Sequence, residues 1–248
     1  MRQAAPYAVS DEPSAIAERY ARRRGAGLYD PLRPEVWLAL QERERALIAL
    51  LRQHVHRPLA ELDVLEVGCG AGDTLLQLLR LGFDPARLAG AELLPERAAA
   101  ARRRLPAETA VHLGDALLRP QADASLDLVV LSTVFSSILD EAFRQRLAAR
   151  IWGWLRPGGA VLWYDFAFDN PRNPDVRGVR PAQLRALFPA AVIDARRVTL
   201  APPIARRVVR LHPRAWTVCN ALPLLRSHCL AWVGKAHEAD APGPATPR

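Results

Sequence analysis

The chain has 248 residues, half of them hydrophobic and 24% charged, an ordinary globular composition that allows one sizeable core with a small appendage. Lys and Arg number 34 against 26 Asp and Glu, a formal charge of +8, which suits an anionic partner; the arginines are scattered in short runs, however, and compositional bias is the preferred reading. Three cysteines (Cys69, Cys219, Cys229) without metal-ligand spacing argue against a disulfide framework, the N-terminus lacks a signal-peptide core, and no run of apolar residues is long enough to span a bilayer, so a soluble cytoplasmic protein is expected.

Residues 14–57 read as helical. Ser10 or Ser14 caps a first helix carrying Ile16, Tyr20 and the run Arg22, Arg23, Arg24. A glycine-rich break follows, and a second amphipathic helix over 34–55 places Val36, Leu40, Leu47, Leu50 and Leu51 on one stripe. From residue 62 strands and helices alternate: strand 63–67, helix 73–81, strand 87–92, a helix from Pro95 to about Pro106, strand 109–113 and strand 126–131. A helix over 140–155 repeats Phe143, Leu147, Ile151 and Leu155 at four-residue steps, and a Pro157-Gly158-Gly159 turn leads into strand 160–166. Strands apolar on both faces, alternating with helices, predict a parallel sheet covered on both sides. A polar Pro/Asn loop (169–180) leads to a helix at 181–187 and a strand at 191–200; 203–222 is a helix or irregular crossover, and 228–233 a final strand. The Pro/Ala-rich tail 237–248 is expected to be disordered. The domain plan is thus a helical extension over 1–59, an α/β domain over 60–236 and the tail.

The most informative stretch is Val64-Leu65-Glu66-Val67-Gly68-Cys69-Gly70-Ala71-Gly72-Asp73, a buried strand running into three glycines and directly into a helix. Glycines permit the tight turn and let a ligand lie against bare backbone. Glu92 ends the next strand, where a carboxylate accepts hydrogen bonds from ribose hydroxyls or complements a helix N-terminus. Gly114-Asp115-Ala116 follows the third strand, where an acid can accept from an adenine amino group or simply form a turn. All three lie at the carboxyl ends of successive strands, the edge at which open α/β sheets bind ligands. The loop lacks the G-x-G-x-x-G spacing of dinucleotide sites, and Asp73 repels a pyrophosphate while tolerating a sulfonium or an ammonium. Adenosine recognition with that charge preference favours S-adenosylmethionine over NAD.

With these motifs the chain resembles the class I S-adenosylmethionine-dependent methyltransferases, of the small bacterial kind, over about residues 60–236. The resemblance rests on VLEVGCGAG, Glu92, Gly114-Asp115-Ala116, the strand ending at Ser132 and the LRPGG turn. It implies a Rossmann-like, doubly wound, seven-stranded, mostly parallel sheet whose last strand is antiparallel. Carried over by residue, it implies that Glu66, Gly68, Cys69, Gly70 and Gly72 line the methionine moiety of S-adenosyl-L-methionine. Glu92 and Leu93 then take the ribose, Gly114, Asp115 and Ala116 the adenine, and Ser132 the neighbourhood of the sulfonium.

Methyl transfer needs alignment of the nucleophile and exclusion of water, and a hydroxyl acceptor also needs a base. Asp165, then Asp169, are the candidate bases, since both follow the fifth strand. No metal is implied. His112, His212 and His228 read as packed or hydrogen-bonded residues, and Tyr20 and Tyr29 as packing residues that can also close over the cofactor. The Asn/Asp-Pro-Pro-aromatic motif of amino-group methylases is missing after Ser132. By resemblance to surface-polysaccharide and secondary-metabolite methyltransferases, the expected acceptor is a sugar or another small molecule, methylated on oxygen. RNA methylation, a non-catalytic cofactor-binding module, and weak peripheral membrane contact through 203–226 are the alternatives.

Overall fold

Five strands pair in parallel: the central ones are apolar and buried on both faces, while the edge strand is largely exposed. β1 (Val64–Val67) lies between β2 (Leu88–Glu92) and β4 (Leu126–Ser132), with β3 (Ala110–Leu113) outside β2 and β5 (Leu155–Phe166) beyond β4. β7 (Arg226–Lys235) runs antiparallel to both β5 and β6 (Ala191–Leu200), giving the order β3-β2-β1-β4-β5-β7-β6. The expected seven-stranded, doubly wound sheet is therefore present. The computed structural model describes residues 11–22, 27, 30–170 and 173–236; Ser10, Arg23, Arg24, Tyr29 and the 237–248 tail lie outside them.

Helices cover both faces. On one, α2 (Pro34–His54), α3 (Asp73–Arg80) and α4 (Pro95–Arg104) bury Leu50, Leu75, Leu78 and Ala101 against Val64, Leu128 and Leu162. On the other, α5 (Glu141–Trp154) and α6 (Pro181–Leu187) bury Phe143, Leu147, Ile151 and Leu184 against Leu65, Val129 and Trp163. Asp140 starts α5 by accepting from the Ala142 and Phe143 amides, and α2 and α4 each open on a proline, whose missing N–H would have had no partner there. α1 (Glu12–Arg22) crosses the carboxyl edge of the sheet. A buried pair fixes it there: Arg19 donates to Glu12 (2.6 Å) and to the Ser137 carbonyl (3.1 Å), while Glu12 accepts from the Leu139 amide (2.7 Å).

Two segments differ from expectation. Leu155, read as the end of α5, already pairs with Leu126, and the register then jumps to Ala160 opposite Leu128. The proline–glycine turn is thus an irregular step within β5. Arg156 projects from it to Asp63 (2.9 Å) and Asp127 (2.7 Å) at the edge opposite the ligand side. The ambiguous stretch after β6 forms two helices, α7 (Pro202–Leu211) and α8 (Pro213–Asn220). The break falls at His212, because Pro213 has no amide to continue α7; His212 turns extended and its ring accepts from the Arg214 amide (3.0 Å).

Candidate active site

At the carboxyl edge the chain must leave β1 and enter α3 within a few residues. Gly68 and Gly70 make this possible with φ of +70° and +57°, a region costly for side-chain-bearing residues. A Cβ on Gly68 would sit 2.8 Å from Val134 Cγ2, and one on Gly70 would run into the Arg97 guanidinium. The bend is locked to the next strand: Gly68 and Cys69 amides donate to the Ala91 carbonyl (2.7 and 3.1 Å). Glu92, buried at the tip of β2, accepts from the Gly70 amide (2.7 Å) and the Leu94 amide (2.9 Å).

Above this frame lies a cleft with about 740 Å³ of empty space, its open mouth included. Gly68, Glu92, Leu93, Gly114, Asp115, Ala116 and Ser132 all line it. Asp115 holds its turn by accepting from the Leu117 amide (2.9 Å). Residues given only a packing role, or none, complete the wall. Ile16 and Tyr20 of α1 close it from above, and Arg97, on α4, lies 5.0 Å from the Tyr20 ring centre. The sequence offered Tyr20 as a cover, but Arg97 carries no motif; it reaches the cleft because α4 starts directly behind Glu92.

A second, small cavity opens on the α2 side of Ser132, walled by Arg43, Thr74, Ser132 and Tyr164 among others. Arg43 donates to Thr74 Oγ1 (3.2 Å), sits 4.4 Å over the Tyr164 ring and has no salt-bridge partner among the described residues. The Tyr164 hydroxyl bonds Thr199 Oγ1 (2.9 Å), and its ring stacks on His228 at 4.8 Å. Burial raises the Tyr164 pKa and drives that of His228 down to about 3, so both are neutral near pH 7. His228 is thus a packed residue, as its strand context suggested.

Glu66 lies beneath the glycine bend on the same side as Thr74. Burial pushes its carboxyl up to about 8, with Thr74 and Arg43 pulling the other way, and Oε2 has no hydrogen-bond partner. A buried acid with an unused acceptor beside a glycine cradle fits a ligand that brings a cationic donor, and S-adenosylmethionine carries an ammonium and a sulfonium. Of the five residues expected at the methionine end only Gly68 lines the large cleft; Glu66, 1% exposed, and three others are set back from it. Cys69 is buried with its thiol pushed up to about 12, Gly70 lies under Arg97, and Gly72 starts α3. They shape the bend rather than wall the cleft.

The two candidate bases are not brought to either cavity. Asp165 is 2% exposed, and its oxygens accept from the Ser136 amide (3.0 Å) and the Phe166 amide (2.8 Å). Desolvation raises its pKa to about 6. It holds the loop after β4, next to buried Arg144, which donates to the Ile138 carbonyl (2.6 Å). Asp169 is exposed and accepts from the Gly178 amide (2.9 Å), closing a loop. Sequence position placed both past the fifth strand; Asp165 instead lies within β5, paired with Cys229, and strand alternation turns it toward α5. Among the described residues no group of three or more His, Cys, Asp or Glu is placed to hold a metal ion, and no helix is long and apolar enough to cross a membrane.

Comparison with known proteins agrees with this geometry. Residues 64–159 match a family described as methyltransferase domain. The chain is 31% identical over 172 residues to a trans-aconitate 2-methyltransferase of Paracidovorax citrulli, covering 63% of this chain and 64% of that protein. It is 31% identical over 115 residues to a tRNA N(3)-cytidine methyltransferase of Gallus gallus, covering 43% of this chain and 31% of the relative. The matches therefore span less than two thirds of either relative. Among solved structures, a geranyl diphosphate C-methyltransferase from Streptomyces coelicolor A3(2), in complex with Mg2+, geranyl diphosphate and S-adenosyl-L-homocysteine, superposes with a TM-score of 0.62. It covers 94% of this chain and 100% of that one at 15% identity, which is a likeness of fold.

Proposed function

We propose that the chain is a class I S-adenosylmethionine-dependent methyltransferase, a reading supported by the match of residues 64–159 to a methyltransferase domain, and that it transfers a methyl group from S-adenosylmethionine to an oxygen of a small-molecule acceptor. The observation that carries this reading is the convergence of Gly68, Glu92 and Asp115 on one cleft. Each sits at the tip of a different strand, and only the parallel β1-β2-β3 arrangement brings them together. In this reading Glu92 accepts from ribose hydroxyls with the oxygen lone pairs its two amide bonds leave free, and Asp115 faces the adenine; both line the cleft. On the same reading Glu66, buried beneath the bend with an unpartnered Oε2, takes the ammonium. When bound, the cofactor supplies an electrophilic methyl on a sulfonium.

The chain's own residues then have two tasks. α1, through Ile16 and Tyr20, excludes water from the cleft mouth, and Ser132 joins the large cleft to the small cavity. Arg43 is well placed for an acceptor's acidic or polar oxygen, since its charge has no salt-bridge partner among the described residues. The activity of the Paracidovorax relative, named for trans-aconitate, supports a small acid beside the sugar suggested by the sequence. Neither Asp165 nor Asp169 is retained as base, for the geometric reasons above. An acceptor already ionised as a carboxylate needs no base at all.

RNA is the second reading, favoured by the charge of +8 and by the tRNA methyltransferase relatives. Titration calorimetry with S-adenosylmethionine, followed by labelled-methyl transfer to carboxylic acids, sugars and tRNA, tests both. Binding with transfer to a small acid or a sugar supports the first reading. Transfer to tRNA alone replaces it with the second, and no cofactor binding removes both.

A further inference from the structure

Between β6 and β7 the chain inserts α7 and α8, whose outer surface the cofactor cleft does not use. β6 runs in the same direction as β5, with β7 between them, and ends where β7 begins, with Leu200 paired to Arg226 just beyond the Phe166–His228 pair. The helical pair therefore stands at the ligand-binding edge of the sheet. Its inner face is accounted for: Ala205 and Trp216 are buried with Leu200, and Leu38 of α2 packs on them. Its outer face is not. Leu211 and Val218, and Leu222 and Leu224 in the turn that follows α8, are 83%, 69%, 56% and 89% exposed, and Arg207, Arg210 and Arg214 are exposed too.

Charge decides what such a face suits. From residue 195 to residue 237 the chain contains no Asp or Glu, and Arg206, Arg207, Arg210 and Arg214 fall within nine residues. None of these four has a salt-bridge partner among the described residues. A second copy of the chain would bring arginine against arginine, opposing self-association through this face. Single-stranded nucleic acid needs aromatic rings on which bases stack, and the one aromatic of these two helices, Trp216, is 3% exposed and turned inward. Exposed leucines and unpaired arginines on one short stretch of chain match the interface of an anionic lipid layer, where guanidinium groups meet phosphates and the leucines enter the headgroup boundary.

We propose that the outer face of α7 and α8 docks this protein on an anionic lipid surface, with the ligand-binding edge of the sheet beside it. This holds independently of methyl transfer. The test is co-sedimentation of the full chain with vesicles of phosphatidylcholine alone, or of phosphatidylcholine mixed with phosphatidylglycerol. Binding is expected to the mixed vesicles only, weakening as salt is raised. A Leu211→Gln/Leu224→Gln variant and an Arg207→Gln/Arg210→Gln/Arg214→Gln variant should each bind about tenfold more weakly. Both changes lie on exposed side chains, so melting temperature and S-adenosylmethionine affinity should stay at wild-type values.

Absence of binding by the folded protein at low salt overturns the proposal. So does binding unchanged by the leucine substitutions, which would reduce the contact to diffuse charge. Tight binding of single-stranded RNA that the arginine variant loses, with no vesicle binding, would make the face a nucleic-acid surface. Concentration-dependent dimers abolished by the leucine variant, without vesicle binding, would make it a self-association surface.

Discussion

Glu66 shows how one buried side chain can link the cofactor to pH. Its pKa near 8 leaves the carboxyl mostly protonated at pH 7, with Oε2 unpartnered. A cationic ligand favours the ionised form, so binding at pH 7 should release a proton. Calorimetry in buffers of different ionisation enthalpy should detect it, with affinity rising from pH 6 to 8; Glu66→Gln should abolish both the release and the rise. The sign for stability is the reverse. A carboxyl whose folded pKa is raised binds more protons folded than unfolded, so its contribution is present at low pH and lost as pH rises from about 4.5 to about 8. The slope of unfolding free energy should be shallower in Glu66→Gln than in wild type by up to ~1.4 kcal/mol per pH unit in that window. At Glu92, loss of the carboxylate removes any ribose contact together with the amide bonds from Gly70 and Leu94. Glu92→Ala should weaken S-adenosylmethionine binding by about 1–3 kcal/mol, and Glu92→Gln by less, because an amide still offers one acceptor. Unchanged affinity in calorimetry would show that the ribose lies elsewhere.

Among the elements, the bend between β1 and α3 depends on a backbone that only glycine adopts freely and on the space Val134 leaves. Gly68→Ala should lose cofactor affinity, and adding Val134→Ala should restore part of it by removing the 2.8 Å contact. The φ penalty of about 1–2 kcal/mol should remain in the double variant. Full rescue in a binding titration would mean that crowding alone sets the loop. α1 depends on different physics. It is anchored by the buried Glu12–Arg19 pair to Ser137 and Leu139, and breaking a buried pair leaves one charge uncompensated. Glu12→Ala should therefore loosen the cover and speed cofactor dissociation in stopped flow more than it changes the melting temperature, because α1 adds only the part-buried Ile16 to the sheet core. α5 and the loop after β4 were placed correctly along the chain, but their tie through Asp165 and Arg144 was not foreseen. Facing direction within a strand depends on register, and register is a relation between strands.

In the molecule as a whole, the two edges of the sheet do different work. Asp127 accepts from Arg57 (3.0 Å), Arg156 (2.7 Å) and the Asp63 amide (2.9 Å) at the edge away from the cleft. Asp127→Ala should cost about 1–3 kcal/mol of stability by denaturant unfolding while leaving S-adenosylmethionine affinity unchanged, since the lost partners are structural. A change in affinity would show that strain crosses the sheet. From residues alone, the alternation of strands and helices, the glycine bend and the acids after β2 and β3 were all readable. Periodicity and backbone permissiveness are local properties; they point to a covered parallel sheet with an adenosine site, and the family resemblance supplied the seven-stranded order. The walls contributed by Arg43, Arg97 and Tyr164, the inward turn of Asp165 and the outward face of α7 and α8 were decided only by tertiary structure. Those facts depend on which distant segment lies opposite a side chain, and a linear pattern carries no information about its partner across the sheet.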